Sequence, residues 1–329
     1  MRILFAGTPE PAVASLNALI EAGHEVVGVL TRTDAKVGRK RVLTPSPVAS
    51  RADELGLPII KTDGFSSDDG QSAIDQIKAL RPDIGAVVAY GGLLLQHVLD
   101  MLPQGWVNLH FSLLPAYRGA APVQWAIINQ EPQTGAAVFQ LEAGLDTGPV
   151  FASLTRPLSA TETAGEVLED LAEVGAQLLA TTLGDIASGT ATATPQQGTV
   201  TWAPKLTSAQ AKIDPAQPAE TVRGLINGTA PAPGAWGMLD TGQGQAQRLK
   251  IGRAQPVATQ PTGDHEPGTF ILEPQRVLLM CQDGVIEVTE VQPAGKKMMR
   301  ATDWGRGVED SARLRTSQTH PDEFQGNEG

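Results

Sequence analysis

Three polar side chains in one stretch of the chain have the types that chemistry at a carbonyl carbon requires. Asn108 and His110 stand two residues apart in Val107–Phe111, where apolar and polar residues alternate, so a strand places both on one face. Asp146 follows in a glycine-bounded loop, Glu142–Gly148. An amide and an imidazole stabilise a carbonyl oxygen that gains negative charge, and a carboxylate orients the imidazole and helps to move a proton. A solvated strand face and an ordinary turn use the same residue types, so the types alone leave both interpretations open.

The elements around these residues follow from the positions of proline, glycine and apolar side chains. A turn at Ser112–Gly119 contains a proline and ends at a glycine, and apolar spacing predicts a helix at Val123–Asn129. A second strand is predicted at Gly135–Leu141, directly before the loop that carries Asp146. Arg118, within the turn, has the chemistry to bind a carboxylate or phosphate or to fix the turn to the sheet, and we favour the structural role.

The first half of the chain alternates strands and helices. The predicted strands are Ile3–Ala6, Glu25–Leu30 and Ile84–Ala89, and the predicted helices are Val13–Ala22, Ser72–Leu80 and Thr163–Leu183. This order favours right-handed crossovers, so we predict a Rossmann-like, mostly parallel sheet with helices on both faces. A dinucleotide site is not supported, because Gly7–Pro11 lacks the later glycines of G-x-G-x-x-G and the chain has no G-x-x-x-x-G-K-[ST] motif.

The second half contains short strand-like runs separated by glycine and proline. The predicted strands are Arg248–Ile251, Gly268–Leu272, Val277–Met280 and Val285–Val291, with helices at Ala219–Ile226 and Ala301–Gly307. Such a series predicts a smaller OB-like β-barrel, a common oligonucleotide-binding fold. We therefore predict an α/β domain at residues 1–188, a linker at 189–207, the barrel at 208–307 and a polar, disordered tail at 308–329.

Composition limits the class of protein. A chain of 329 residues is long enough for two domains with substantial cores, and its net charge of −11 argues against a surface that is basic throughout. No apolar run approaches the about 20 residues needed to span a bilayer, and the first residues enter a strand without a signal-peptide pattern, so we expect a cytoplasmic protein. The single cysteine, Cys281, has apolar neighbours and is expected to be a buried structural thiol.

The central stretch resembles a known family. The sequence NLH, then SLLPAYRGAAP, then a glycine-rich loop with an aspartate is similar to the 10-formyltetrahydrofolate-dependent formyltransferases and their hydrolase relatives. The resemblance implies that Asn108, His110 and Asp146 are catalytic, that 10-formyltetrahydrofolate is the formyl donor, and that an amine attacks through a tetrahedral intermediate. We expect no catalytic metal, because His110 has no second histidine close in sequence and the five histidines are scattered.

The resemblance also implies a folate site. In the family, the backbone after an A-Y-G sequence holds the pterin ring, and this sequence continues into a glycine pair here. The implied folate contacts are Tyr90, Gly91, Gly92 and Leu93, with Ser112, Leu113, Leu114 and Pro115 forming an apolar pocket wall. Leu95 stands where family members usually have proline, a departure that affects the loop but no side-chain chemistry.

Three further stretches resemble the branch of this family that acts on methionyl initiator tRNA. They are a basic loop at Thr31–Pro47 that overlaps G-R-K-R-V-L-T-P-S-P-V at residues 38–48, a W-A-P-K-L sequence around Lys205, and Q-P-A-G-K-K at residues 292–297. In the family the first of these wedges into the acceptor end of the tRNA. The implied tRNA contacts are Arg39, Lys40, Arg41, Lys205, Lys296 and Lys297. Trp202 replaces the usual tyrosine, and Met298 stands where a basic residue is common.

The resemblance therefore implies transfer of a formyl group from 10-formyltetrahydrofolate to the α-amine of methionyl initiator tRNA, and we expect a monomer without membrane association. The enzymatic alternatives are a phosphoribosylglycinamide or sugar formyltransferase and a formylfolate hydrolase, which should lack both the basic loop and the Q-P-A-G-K-K barrel. A non-catalytic tRNA-binding protein is the alternative from another class, and the intact Asn108, His110 and Asp146 argue against it.

Overall fold

The computed structural model describes residues 1–38, 41–66, 68–240, 245–259, 261, 263–308 and 312–316. Its contacts divide the chain into two compact units. The first comprises residues 1–123, 133–157 and 166–205, and the second comprises 124–132, 158–165 and 206–329. The domain boundaries that we drew from the sequence at residues 188 and 208 stay predictions.

The first unit contains a mixed sheet that is mostly parallel. Its strands are β1 (Arg2–Gly7), β2 (Glu25–Thr31), β5 (Ile59–Lys61), β6 (Ile84–Val88), β7 (Trp106–His110), β8 (Gln133–Gln140) and β9 (Val150–Pro157), and a separate hairpin is formed by β3 (Ala35–Val37) and β4 (Val42–Thr44). Within the described residues the sheet order is β5-β2-β1-β6-β7-β8-β9. The pairs from β5 to β7 are parallel, whereas β8 and β9 are antiparallel to their neighbours.

Most of the helices in the first half of the chain belong to this unit. They are α1 (Pro11–Glu21), α2 (Pro47–Glu54), α3 (Asp68–Leu80), α4 (Gln96–Leu99) and α6 (Ala164–Ser188), whereas most of α5 (Pro122–Ile128) is assigned to the second unit. Four consecutive residues of β1, from Ile3 to Ala6, have no exposed surface, so both faces of the central strand are buried, as a parallel sheet requires. On one face, Leu4 packs in a core with Ile77 of α3 and Val98 of α4. The predicted Rossmann-like class is confirmed.

The basic loop predicted at Thr31–Pro47 is partly regular. β3 and β4 pair antiparallel, and Gly38 (φ +73°) and Arg41 (φ +50°) flank the turn between them. Three-residue strands give too short an alternating pattern to be recognised in the sequence. Arg39 and Lys40 lie outside the described residues. Val37, Val42 and Leu43 are more than half exposed, so the hairpin presents apolar side chains to solvent.

The second unit contains an antiparallel, nearly closed β-barrel. Its elements are α7 (Ala219–Thr229), β10 (Ala235–Asp240), β11 (Gln247–Pro256), β12 (Phe270–Leu272), β13 (Val277–Met280), β14 (Val285–Pro293), β15 (Met299–Arg300), α8 (Ala301–Gly305) and β16 (Arg313–Leu314). The strand order among the described residues is β12-β13-β14-β11-β10-β16, with β15 beside β14. A bridge between Thr269 and Arg313 links the two ends of this order, which confirms the predicted barrel.

The barrel's core corrects one expectation about the tail. Leu314 of β16 is 1% exposed and packs with Leu239, although it falls in the segment 308–329 that we predicted to be disordered. The mostly polar sequence around it hid the alternation of Ala312 and Leu314, which are both buried. The prediction was wrong for residues 312–316, and the other residues beyond 308 lie outside the described part.

Cys281 is fully buried in the barrel core, so the prediction of a buried thiol is confirmed. None of the helices in the described part of the chain is both long and apolar enough to cross a bilayer.

Candidate active site

Strand β7 carries the first two predicted catalytic residues. It lies between β6 and β8, with Asn108 opposite Val87 on one side and Phe139 on the other. Asn108 and His110 both line a cavity of about 500 Å³. Among the described residues the Asn108 carboxamide has no hydrogen-bond partner, so its N–H groups are available to a ligand in the cavity.

The third predicted residue, Asp146, borders the same cavity. It follows β8 in a left-handed backbone conformation (φ +52°), which aspartate adopts more readily than most residues. The backbone N–H of Gly119 donates to its Oδ2 at 2.8 Å, and only 8% of the residue is exposed. The structure thus brings Asn108, His110 and Asp146 to one cavity, although they come from a strand and a distant loop.

The contacts of His110 fix its tautomer. Its Nε2 lies 2.9 Å from the carbonyl oxygen of Tyr117, and because a carbonyl only accepts, Nε2 carries a proton and donates. Its Nδ1 lies 3.9 Å from Oδ2 of Asp146, too far for a hydrogen bond but close enough for an ion pair when the ring is protonated. The ring is 6% exposed and packs edge-on against Phe139. Nδ1 is therefore the nitrogen left to exchange a proton.

A segment predicted as a linker fixes the turn that follows His110. The Tyr117 N–H donates to Oγ1 of Thr201 at 2.8 Å, and Arg118 exchanges backbone hydrogen bonds with Thr201 and Ala203. A Cβ on Gly119 would approach the carbonyl oxygen of Ala203 to 2.6 Å, so the close contact requires glycine. These supporting residues were not predicted, because the small polar segment 189–207 has no periodicity that would indicate structure.

The cavity wall also includes the predicted folate loop. Ala89 to Leu94 line it together with Leu141 to Asp146, and Leu93 and Leu145 are 74% and 58% exposed. Two apolar side chains thus border the cavity with most of their surface open. A flat aromatic ring in the cavity would cover such surfaces.

Polar contacts from neighbouring strand ends hold this loop. Thr8 donates to the carbonyl of Tyr90 at 2.7 Å, and Nη1 of Arg32 donates to the carbonyl of Gly91 at 2.6 Å. Asp63 accepts from Nε of Arg32 at 2.7 Å. Hydrogen bonds from Thr33 and Arg32 lower the pKa of Asp63, so its carboxylate stays ionised at neutral pH. Burial raises the pKa of Tyr90 to about 12.

The structure does not place the second half of the predicted folate set on the cavity wall. Ser112 is fully buried and its hydroxyl donates to the Ala116 carbonyl at 2.6 Å, which closes the turn locally. Leu113 packs beside Gly135 at the start of β8, and Pro115 lies near Gly198. Leu114 belongs to the same turn. These four residues, Ser112 to Pro115, shape the turn behind His110 instead of the cavity.

The predicted tRNA contacts that the structure describes are solvent-exposed. They are Arg41, Lys205, Lys296 and Lys297, whereas Arg39 and Lys40 lie outside the described residues. Lys296 and Lys297 follow β14, which pairs with β11, and β11 pairs with β10. The contacts next to these lysines lie on those three strands. Gln292 donates to the Lys296 carbonyl, Lys250 pairs with Gln292 across the sheet, and Arg248 stacks 4.0 Å above the ring of Trp236. This face combines cations with an aromatic ring.

No group of three or more histidine, cysteine or carboxylate side chains among the described residues is arranged to hold a metal ion. Asn108, His110 and Asp146 are among the polar residues that line the cavity, together with Glu142.

The fold and this cavity agree with two family models. The formyl transferase model matches residues 1–183, and the formyl transferase C-terminal domain model matches residues 205–309. The chain therefore belongs to the formyl transferase family of enzymes. Within that family it belongs with the methionyl-tRNA formyltransferases: the one from Leifsonia xyli subsp. xyli is 50% identical over 308 residues, which cover 94% of this chain and 98% of that protein.

Solved structures agree with the fold. HypX from Aquifex aeolicus, in complex with tetrahydrofolic acid, matches 92% of this chain and 46% of its own with a TM-score of 0.60 and 17% identity. WlaRD, a sugar 3N-formyl transferase in the presence of dTDP and 5-N-formyl-THF, matches 90% of this chain and 99% of its own with a TM-score of 0.61 and 15% identity. At these identities the similarity establishes a shared fold.

Proposed function

We propose that this protein transfers the formyl group of 10-formyltetrahydrofolate to the α-amino group of methionyl initiator tRNA. The observation that carries the proposal is the meeting of Asn108, His110 and Asp146 on one cavity. Relatives about half identical over nearly the whole chain bear the name methionyl-tRNA formyltransferase. A folate was present in two solved structures that share the fold.

The cavity suits the donor. Its volume of about 500 Å³ lies within the range usual for small-molecule sites. The loop from Tyr90 to Leu93 offers backbone groups at two successive glycines, with Gly91 in a left-handed conformation (φ +78°). The exposed Leu93 and Leu145 provide apolar surface for a ring. We assign Tyr90, Gly91, Gly92 and Leu93 to folate binding, and we do not extend this assignment to Ser112, Leu113, Leu114 and Pro115.

The three polar side chains divide the reaction between them. When the amine nitrogen bonds to the formyl carbon, the carbonyl π electrons move to oxygen, and the Asn108 N–H donates to that oxyanion. Nδ1 of His110 takes the proton that the amine loses, and Asp146, 3.9 Å away, stabilises the imidazolium. Collapse of the tetrahedral intermediate expels N10 of tetrahydrofolate, which receives the proton. No covalent bond to the enzyme forms.

The exposed cations suit the tRNA substrate. Arg41 and Lys205 in the first unit and Lys296 and Lys297 in the second are available to phosphates, and we include Arg39 and Lys40 from the sequence. The apolar residues of the β3–β4 hairpin, which are more than half exposed, suit insertion beside unpaired bases at the acceptor end. A cytoplasmic, monomeric protein without membrane association stays a prediction from the sequence.

The test is incubation with labelled 10-formyltetrahydrofolate and methionyl initiator tRNA, followed by detection of N-formylmethionine. We expect Asn108→Ala to lower kcat by about 10²–10³-fold, the effect of losing one oxyanion donor, with unchanged tRNA affinity. Unchanged turnover in Asn108→Ala would contradict the assigned role. Release of free formate without formylmethionine would instead identify a formylfolate hydrolase.

A further inference from the structure

Gln196 joins the two loops that carry the site. Its Oε1 accepts from Nε and Nη2 of Arg118 at 3.2 and 2.6 Å. Its Nε2 donates to the carbonyl oxygens of Asp146 and Gly148, both at 2.8 Å. One side chain thus binds the turn after β7 and the loop after β8, although it belongs to the segment 189–207 that the sequence suggested was a linker.

These contacts close a ring around the Asp146 carboxylate. Arg118, which Gln196 binds, directly precedes Gly119, and the Gly119 N–H donates to Oδ2 of Asp146 at 2.8 Å. Gln196 returns to the backbone of Asp146 itself. Gln196 therefore fixes the backbone of Asp146, Gly119 fixes its carboxylate, and Arg118 connects these two partners. Since Oδ2 lies 3.9 Å from Nδ1 of His110, the ring sets that distance.

The rest of the segment supports the same arrangement. Thr194 exchanges two backbone hydrogen bonds with Val150 at the start of β9, and Thr201 binds the N–H of Tyr117, whose carbonyl holds His110. Gln196 lies between these two attachments. Asp146 stands in a left-handed conformation, which aspartate tolerates better than most residues but which still costs a non-glycine residue energy, so contacts from outside the loop help to hold it.

We propose that Gln196 is a positioning residue for formyl transfer, which holds the Asp146 carboxylate against His110 through the ring with Arg118 and Gly119. The inference rests on the proposed function, because it requires that Asp146 acts in formyl transfer. Gln196 itself is assigned no contact with either substrate. Gln196 acts on the chemical step through Asp146, so its loss lowers kcat and leaves the KM for the folate donor nearly unchanged.

Gln196→Glu is the sharpest substitution. Glutamate keeps the acceptor that Arg118 binds but replaces the Nε2 donor by an oxygen, which would face the carbonyl oxygens of Asp146 and Gly148. Gln196→Met, which removes the hydrogen bonds without adding charge, is the second variant. Gln197→Glu is the matched control: Gln197 is exposed, and in the described part of the chain its side chain has no hydrogen-bond partner.

We expect Gln196→Glu and Gln196→Met to lower kcat by between about 10- and 100-fold, with the KM for 10-formyltetrahydrofolate within about twofold, and Gln197→Glu to match the unaltered protein. The melting temperature of each variant is measured as well, to check that the fold is kept. A kcat within about twofold of normal for both Gln196 variants would overturn the inference. A loss of kcat/KM that comes entirely from a higher KM would also overturn the inference, because that result indicates a general disturbance of the cavity.

A double-mutant cycle separates this inference from the proposed function. Asp146→Asn alone tests the function, and a normal rate in that variant would contradict the role of Asp146 itself. If Asp146→Asn is slow, adding Gln196→Glu should lower kcat by less than about twofold further, because the residue that it positions has already lost its charge. A full additional loss of the size seen in the single variant would show that Gln196 acts independently of Asp146, and would overturn the inference.

Discussion

At the scale of single residues, one backbone carbonyl decides how His110 can act. Because Tyr117 accepts from Nε2, the proposed mechanism has only Nδ1 available for the proton that moves during formyl transfer, and Asp146 lies on that side of the ring. The Asp146 carboxylate in turn is held by the Gly119 N–H. The proposed chemistry therefore depends on the conformation of the Tyr117–Gly119 turn as much as on the identities of the side chains assigned to it.

Arg32 gives a prediction about donor binding. Its guanidinium joins the carbonyl of Gly91 to the carboxylate of Asp63, so Arg32→Ala frees the glycine loop that lines the cavity. We expect the KM for 10-formyltetrahydrofolate to rise several-fold while kcat changes less, since Arg32 does not contact the reacting atoms. Steady-state kinetics with varied donor measures both. Arg51→Ala is the control, because it removes an ion pair with Glu54 and a hydrogen bond to Asn17 but no contact with the glycine loop, and an equal rise in KM there would contradict the prediction.

The contact between Arg32 and Asp63, called the anchor here, gives a prediction about pH. Because the pKa of Asp63 is lowered, the carboxylate is fully ionised above the ordinary aspartate value of about 3.9, and the anchor is lost only as the pH falls through the lower folded value. Titration of Asp63 therefore leaves the donor KM constant between about pH 6 and 8.

Cys281 gives a prediction about reactivity and alkaline stability. Burial, followed by the charge of Asp283, raises the pKa of its thiol to about 12. The thiolate is therefore scarce in the folded protein, and iodoacetamide at about pH 8 should label the native chain at least 100-fold more slowly than the guanidinium-unfolded chain. The stability that the neutral thiol contributes is present below its ordinary pKa and is lost as the pH rises through about 12. Rapid labelling of native protein, measured by mass spectrometry, would contradict this.

At the scale of elements, regular patterns were predictable and irregular ones were not. Strand β7 alternates, and β6 and the part of β1 after Arg2 are apolar, so their positions and the shared face of Asn108 and His110 followed from the sequence. The segment around Gln196 consists of small polar residues whose structure comes from hydrogen bonds to distant backbone groups. Such contacts leave no periodicity in the sequence. Edge strand β9 was missed because its half-buried residues mix polar and apolar side chains without a clear pattern.

The β3–β4 hairpin gives a prediction at this scale. Val42 and Leu43 are 59% and 62% exposed, so replacing both by serine should change the melting temperature by less than about 2 °C. If the hairpin inserts apolar side chains beside the acceptor end, kcat/KM for methionyl-tRNA falls by at least tenfold, whereas the KM for the folate donor does not change. Val174→Ser, at another exposed apolar position on α6, is the control. Normal tRNA kinetics in the double variant would show that the hairpin does not contact the substrate.

At the scale of the whole molecule, the net charge of −11 bears on the proposed binding of tRNA, which is a polyanion. Non-specific attraction is weak in such a protein, so under the proposed function local groups of exposed cations carry the electrostatic part of tRNA affinity. We expect log Kd for methionyl initiator tRNA to vary linearly with log salt, and Lys296→Ala and Lys297→Ala each to reduce the magnitude of that slope by about 1. Lys78→Ala, an exposed cation on α3, should leave the slope unchanged. Filter binding between about 50 and 200 mM salt measures the slopes, and equal slopes in all four proteins would remove both barrel lysines from the tRNA interface.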